Sequence, residues 1–366
     1  MRILALEPWH GGSHGRFLNG LIANVDADFR VLSLPARAWK WRMRLAAPWF
    51  ADQIRARGWK AGDFDLIFAT SLFDLPTFVG MAPASFAALP RILYWHENQL
   101  AYPVREDHER DRHFGVTNLL SALAADLNLF NSNYNLESLV GGAAEFLSKA
   151  PDSTLSPVGP RIAAKSAVLP VPIDDDAFDA LAKRPPGPPI VVWNHRWEHD
   201  KGPDAFFEAV LALADEELPF RITVLGQRFR NAPSIFSRAE AQLGDRIEHW
   251  GPLPDRSGYL RCLGRASVVV STARHEFQGL AMLEATAAGA RPLAPRRLAY
   301  PEFLPDDCLY DDAEFTARLR DALNRPWTRH DLALEALESL RWGQLGPRFR
   351  ASLEGNLVKS ESRDDR

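Results

Sequence analysis

Two α/β halves, each a doubly wound sheet of parallel strands, are predicted for this chain. Three observations carry the prediction: the length, short apolar runs alternating with helical patterns, and a proline-rich stretch near the middle. At 366 residues the chain is too long for one ordinary core and suits two. Apolar runs that read as strands are Arg2–Glu7, Leu66–Thr70, Arg91–Trp95, Leu127–Phe130 and Ala167–Leu169 in the first half. In the second half they are Ile190–Trp193, Arg221–Leu225, Ile247–Trp250, Ser267–Ser271 and Arg291–Ala294. Continuous rather than alternating runs fit strands buried on both faces, as in parallel sheets. Between them the spacing is helical: Phe206, Val210 and Leu213 stand at i, i+4 and i+7 behind Pro203, which suits a first helical turn. The stretch Pro170–Pro189 holds Asp174-Asp175-Asp176 and Arg184-Pro-Pro-Gly-Pro-Pro, which cannot join a sheet interior. We therefore expect an N-terminal domain over 1–180, a C-terminal domain over 181–358, a central cleft between them, and a charged tail, 359–366, that frays.

Hydrophobic residues are 46% and charged residues 25% of the chain, as in soluble globular proteins. A net charge of −4 excludes a wholly basic nucleic-acid binder but not a local basic patch. Two cysteines, Cys262 and Cys308, are too few for a disulfide framework or a metal cluster and fit a reducing compartment. The apolar start is broken at once by Glu7 and Pro8, too short for a signal peptide, and no run reaches the roughly 18 apolar residues that span a bilayer. A cytoplasmic protein with no membrane partner is expected. Eleven tryptophans serve packing, with stacking on rings or bases open to a few of them.

In the second half, Asn194-His-Arg-Trp-Glu-His-Asp-Lys-Gly202 lies between a strand and the helix beginning near Pro203, a place where phosphates sit. Arg196 offers a fork of donors and Lys201 a compact charge, together able to neutralise a diphosphate without a metal. The alternative pairs both with Glu198 and Asp200 as surface charges. Further on, Glu276 and Glu284 stand eight apart around Gly279. Gly279 is expected to open a helix whose free N–H groups, from Leu280 on, face an anion. Glu276 in the loop suits sugar hydroxyls, and Glu284 inside the helix suits the two hydroxyls of a ribose. The plain alternative makes both ordinary helix-start charges.

In the first half, the first strand ends in Glu7-Pro-Trp-His-Gly-Gly-Ser-His-Gly15, where glycines let a backbone approach a ligand; Gly12 is placed with the donor-binding residues. A tight turn with nothing bound is the alternative. His96 falls at the end of the Arg91–Trp95 strand, able to bond a sugar hydroxyl or to stabilise positive charge, or else simply bonded to a loop carbonyl. From Pro35 to Lys60, seven basic residues (Arg37, Lys40, Arg42, Arg44, Arg55, Arg57 and Lys60) face only Asp52, a local +6. Trp39, Trp41, Trp49 and Trp59 are interleaved. Phosphate binding and base stacking would use such a segment; so would an amphipathic helix that buries its tryptophans.

The order Arg196…Lys201-Gly202, Glu276-(seven residues)-Glu284, Ala288-Gly289-Ala290-Arg291-Pro292 resembles the retaining GT-B glycosyltransferases of family 4. Gln278 departs from that pattern. More narrowly, Gly11-Gly-Ser-His14, Leu34-Pro-Ala-Arg-Ala-Trp-Lys-Trp-Arg42, His96-Glu-Asn-Gln-Leu100, Tyr102-Pro-Val104, His195-Arg-Trp-Glu-His-Asp-Lys201, His249-Trp-Gly251, His275-Glu-Phe277 and Tyr300-Pro-Glu302 resemble the tRNA-queuosine α-mannosyltransferases. The resemblance implies a GT-B fold, GDP-mannose as donor, queuosine of a tRNA anticodon as acceptor, retention of configuration and no metal. It implies that Arg196 and Lys201 contact the donor diphosphate, that Glu276 sits by the sugar and Glu284 holds the ribose, and that the basic segment grips RNA. Joined to the reading of the loops above, it makes His96 and Glu276 the catalytic candidates, Gly12, Arg196, Lys201, Gly279, Leu280 and Glu284 the donor-binding ones, and Arg37, Trp39, Lys40, Trp41, Arg42 and Arg44 the RNA-binding ones. The rival expectations are a related glycosyltransferase for a lipid, polysaccharide or small molecule, a non-catalytic RNA binder of the same fold, and a sugar-nucleotide epimerase.

Overall fold

A computed structural model describes residues 1–102, 111–150, 155, 157–180, 186–229, 231–328 and 330–364, with side chains up to residue 355. Pro103 and Val104 of one quoted motif, the hinge residues 181–185, and Asp365 and Arg366 of the tail lie outside the described residues. The chain divides into two compact units, Met1–Val171 with Trp342–Arg366, and Pro172–Arg341.

The first unit is built on a six-stranded sheet of order β2-β1-β3-β4-β5-β6. Its strands are β1 (Arg2–His10), β2 (Asp28–Pro35), β3 (Leu66–Thr70), β4 (Arg91–Trp95), β5 (Leu127–Phe130) and β6 (Ser166–Val168). All five pairings are parallel. The β3 strand is buried along its whole length, as a strand covered on both faces must be. The β2 strand, absent from the sequence expectation, is mostly exposed because it is an edge strand and has no continuous apolar run. One core gathers Leu4, Leu6, Phe50, Phe73, Phe86, Trp95 and Phe130.

The second unit repeats the plan with order β12-β11-β10-β7-β8-β9. Its strands are β7 (Ile190–Asn194), β8 (Arg221–Leu225), β9 (Ile247–Trp250), β10 (Val268–Val270), β11 (Arg291–Pro295) and β12 (Leu309–Tyr310). Every pairing is again parallel. Trp193, Trp197, Phe206, Phe207 and Phe236 fill its core as an aromatic cluster; Trp197 lies flat on Phe236 with ring centroids 4.1 Å apart.

The division differs from the expected 180/181 boundary in two ways. Residues 172–180 are already tied into the second unit: Ile173 N–H donates to Leu340 O at 2.9 Å, and Asp175 and Asp176 pair with Arg341 and Arg256. Residues 342–358, expected in the second domain, belong to the helix Trp342–Asp364, which packs in the first unit. Its Trp342 ring lies on Gly20, where an added Cβ would come within 2.2 Å of the indole, and Phe349 packs on Phe17 and Tyr94. The tail from Lys359 to Asp364 continues that helix.

Candidate functional site

In the second sheet the strand order reverses between β7 and β10, so the loops that follow these two strands emerge side by side at a switch point, where open α/β sheets bind ligands. The loop after β7 turns through Gly202 (φ 63°) into the helix Pro203–Asp215. A Cβ at Gly202 would sit 2.1 Å from the Thr272 carbonyl oxygen, so only glycine lets the two loops touch. Thr272 Oγ1 donates back to Lys201 O at 3.1 Å. The loop after β10 ends at Gly279 (φ 82°), the N-cap of the helix Leu280–Ala287; its Cβ would lie 2.7 Å from Tyr300.

Between these loops lies Lys201, only 6% exposed. Its Nζ donates to His275 O at 2.8 Å and to Glu276 Oε2 at 3.3 Å, and pairs with Asp200 Oδ2 at 3.3 Å. Burial alone would push the Glu276 carboxyl up, but Lys201, with His195 and His275, outweighs it and holds its pKa down at about 2. Burial, and then Lys201, hold His195 and His275 down to about 4 each, so both imidazoles are neutral at pH 7. The site thus presents one buried cation between two carboxylates, Asp200 and Glu276, at the start of a helix, with two neutral histidines beside them. Such a group of charges can hold a diphosphate through Lys201 and the first-turn N–H groups, with Glu276 left to accept from a hydroxyl.

Arg196 is 45% exposed on its side chain and pairs with Glu198 at 3.0 Å. The surface pairs of the plain reading therefore exist, yet Lys201 is buried and also reaches Glu276. Leu280, half-buried, opens the helix. Glu284 is buried, its Oε1 accepting from Arg256 Nη1 at 2.8 Å and its Oε2 from Tyr259 Oη at 2.7 Å. Asn194 Nδ2 donates to the same Tyr259 oxygen at 2.8 Å, and Arg256 also grips Asp176. Sequence reasoning missed this network, as it missed Gly226 (φ 105°), whose Cβ would meet His195 O at 1.9 Å. A glycine directly after the β8 run was the available signal.

In the first sheet the order reverses between β1 and β3. Gly11 packs on Ala36, where a Cβ would come within 2.6 Å, and Gly12 (φ 55°) begins the helix Gly12–Asn24. His96, just past β4, is 7% exposed and stacks on His14 with centroids 4.0 Å apart. Burial, and then His14, push the His96 pKa well below its ordinary value. Its backbone N–H donates to Ser71 Oγ at 3.2 Å and its carbonyl accepts from Asn131 Nδ2 at 3.0 Å.

The basic and aromatic segment forms the helix Trp39–Ala56. It divides its aromatic residues: Trp39 is turned to Phe114 at 5.0 Å, beside Met43 and Leu72, whereas Trp41 is 64% exposed. Leu45 and Trp49 follow Trp41 at i+4 and i+8, at 51% and 37% exposure, so one wet face carries two rings. Arg37, Lys40 and Arg44 are exposed; Arg44 pairs with Asp111 at 2.9 Å, and Arg42 donates to Pro35 O. No helix among the described residues is long and apolar enough to cross a membrane.

Residues 2–173 match the family model described as tRNA-queuosine alpha-mannosyltransferase N-terminal, and residues 174–339 match that of glycosyl transferases group 1. A tRNA-queuosine alpha-mannosyltransferase of Drosophila melanogaster is 37% identical over 319 residues, 84% of this chain and 83% of the fly protein. Among solved structures, the trehalose-6-phosphate synthase OtsA aligns with a TM-score of 0.72 at 12% identity, over 96% of this chain and 98% of its own. Sucrose-phosphate synthase from Thermosynechococcus elongatus aligns at 0.68 and 16% identity, over 98% of this chain and 100% of its own. These structures share the fold, the expected GT-B plan of two Rossmann-like units. With both halves matched and more than a third of the aligned residues identical, the chain belongs to the tRNA-queuosine alpha-mannosyltransferase family.

Proposed function

We propose that this protein is a cytoplasmic hexosyltransferase that moves mannose from GDP-mannose to the queuosine of a tRNA anticodon, with retention of configuration. The observation that carries the reading is the buried Lys201 bridging Asp200, Glu276 and the loop after β10, at the end of a chain-wide match to a tRNA-queuosine alpha-mannosyltransferase. A cation held in this way offsets the charge that builds on the leaving diphosphate, the role a divalent metal plays elsewhere. Arg196 and the N–H groups at Gly279 and Leu280 share that task. Glu276 accepts from the sugar, and Glu284, held by Arg256 and Tyr259, takes the ribose hydroxyls. His96 and Gly12 are assigned to the sugar as well. The acceptor hydroxyl attacks on the leaving-group side, so no covalent nucleophile is assigned. The basic helix, with Arg37, Lys40, Trp41, Arg42 and Arg44 and with Trp39 packed beneath, meets the RNA.

The test is transfer of labelled mannose from GDP-mannose to total tRNA with and without queuosine. Label confined to the queuosine-containing RNA, lost in Glu276→Ala and unaffected by EDTA, is the expected result. Equal label in both RNAs would discard the acceptor, and activity abolished by EDTA with the fold intact would discard the metal-free diphosphate site.

A further inference from the structure

The carboxylate of Glu284, buried in the helix Leu280–Ala287, is gripped at both oxygens by side chains of one other helix, Arg256–Arg265. Asp255 caps that helix, its Oδ1 accepting from Gly258 N at 2.7 Å, so Arg256 is the first helical residue. Arg256 and Tyr259 stand at i and i+3 and therefore share one face. Arg256 Nη1 donates to Glu284 Oε1 at 2.8 Å, and Tyr259 Oη donates to Glu284 Oε2 at 2.7 Å.

Behind each donor stands a further residue that fixes its direction. Asp176, in the short helix Asp175–Asp179, takes another edge of the same guanidinium: Nε donates to its Oδ2 at 3.1 Å and Nη2 to its Oδ1 at 2.8 Å. That two-point fork sets the plane of the group, so Nη1 is aimed at Glu284. On the other side, Asn194 at the end of β7 donates from Nδ2 to Tyr259 Oη at 2.8 Å, which directs the single hydroxyl proton towards Glu284. The same amide donates to Ala281 O at 3.2 Å, in the first turn of the helix that carries Glu284.

One ion pair alone would neutralise the buried charge, and buried ion pairs add little stability over apolar packing. What this arrangement supplies beyond neutrality is orientation. A carboxylate whose plane is set from both sides is built to meet a partner at two points at once, as two neighbouring hydroxyls do. We infer that Arg256 and Tyr259 are positioning residues for the nucleotide, with Asp176 and Asn194 setting their direction, and that through Glu284 they make the site select ribose over a sugar without its hydroxyls. This rests on the reading of Glu284 as the ribose residue and adds the side chains that give it selectivity. It also brings Asp176, in a stretch that reads as a linker in the sequence, into the donor site. A site that hydrogen-bonds a hydroxyl rejects the analogue that lacks it, because its own buried groups are then left unpaired.

The test is calorimetric binding of GDP and of 2′,3′-dideoxy-GDP to the full-length protein and to Arg256→Lys. Lysine keeps the positive charge beside Glu284 but cannot fork Asp176 at the same time. A loss of about fivefold to tenfold in affinity for GDP is expected, with the affinity for dideoxy-GDP unchanged. Asp176→Asn, at a side chain 46% exposed, is the second variant should Arg256→Lys fail to fold, as judged by thermal melting, and the same pattern is expected of it. An equal loss for both nucleotides, or none for either, would overturn the positioning role. In that case a wild-type preference for GDP that disappears in Glu284→Gln would still uphold the ribose reading. A wild type with no preference for GDP over dideoxy-GDP, or with no binding of either, would discard that reading and this inference with it.

Discussion

Replacing Lys201 by methionine tests the centre of the proposed donor site. The change keeps the buried stem and removes the ammonium, leaving Asp200 and Glu276 near each other without their cation. Each carboxylate oxygen lies 3.3 Å from Nζ. At an effective dielectric of about 20 each contact is worth about 5 kcal/mol before desolvation is subtracted. Removing one partner of such a buried group costs about 3–5 kcal/mol net. Lys201→Met should therefore unfold at lower temperature, and adding Glu276→Gln should recover part of the loss by removing one stranded charge. Activity should behave differently. If Lys201 faces the leaving group as proposed, losing that preorganised charge costs about 100- to 1000-fold in kcat, and the second substitution should not restore it. Paired melting curves and mannose-transfer rates on the single and double variants separate the two effects. A folded Lys201→Met that turns over within threefold of the wild type would refute the assignment of the diphosphate to these loops.

Three further outcomes follow from the same geometry. Gly279→Ala should destabilise by about 2–5 kcal/mol, since φ is 82° and Tyr300, hydrogen-bonded to Ser271 at 2.6 Å, blocks the added methyl; urea unfolding measures it. Stability should fall as the pH drops from 6.5 towards 4, because His195 and His275 stay neutral in the fold down to about 4 while the unfolded chain takes up protons from 6.5. Each histidine contributes about 3 kcal/mol that is fully present above pH 6.5, so urea midpoints at pH 7.5 and 5 should differ, and less so in His195→Gln. Trp41→Ala should weaken tRNA binding about 5- to 150-fold with an unchanged melting temperature, whereas Trp39→Ala should lower the melting temperature first; filter binding and calorimetry distinguish them.

Much of the fold was legible because parallel strands buried on both faces leave continuous apolar runs, and Leu66–Thr70, Arg91–Trp95 and Arg221–Leu225 match the observed strands end to end. The edge strand Asp28–Pro35 left no such run, since half-exposed residues need not be apolar. Lys201 and Glu276 could be picked out because both sit beside glycines in strand-to-helix loops. Their burial could not, since it depends on two loops 70 residues and more apart in sequence coming together across Gly202. For the same reason His14 and His96 stood in separate motifs with nothing in the sequence to bring their rings together. The choice between Trp39 and Trp41 turned on helix phase: two residues apart, they lie on opposite sides of one helix, and only Phe114, distant in sequence, shows which side is inside.

The helix Trp342–Asp364 makes the first unit discontinuous, and this governs the order in which the chain can fold during synthesis. Domains generally fold as they emerge, N-terminal first. Here residues 1–171 leave the ribosome without the helix that covers Gly20 and Phe17. All of residues 172–341 must be made before it arrives. The second unit, continuous in sequence, is thus free to complete its sheet while the first still has an apolar flank open, although the first was synthesised earlier. A protein cut short before Trp342 would keep every residue of the loops after β7 and β10 and lose the closing helix of the first unit, so the proposed nucleotide binding and the stability would part company.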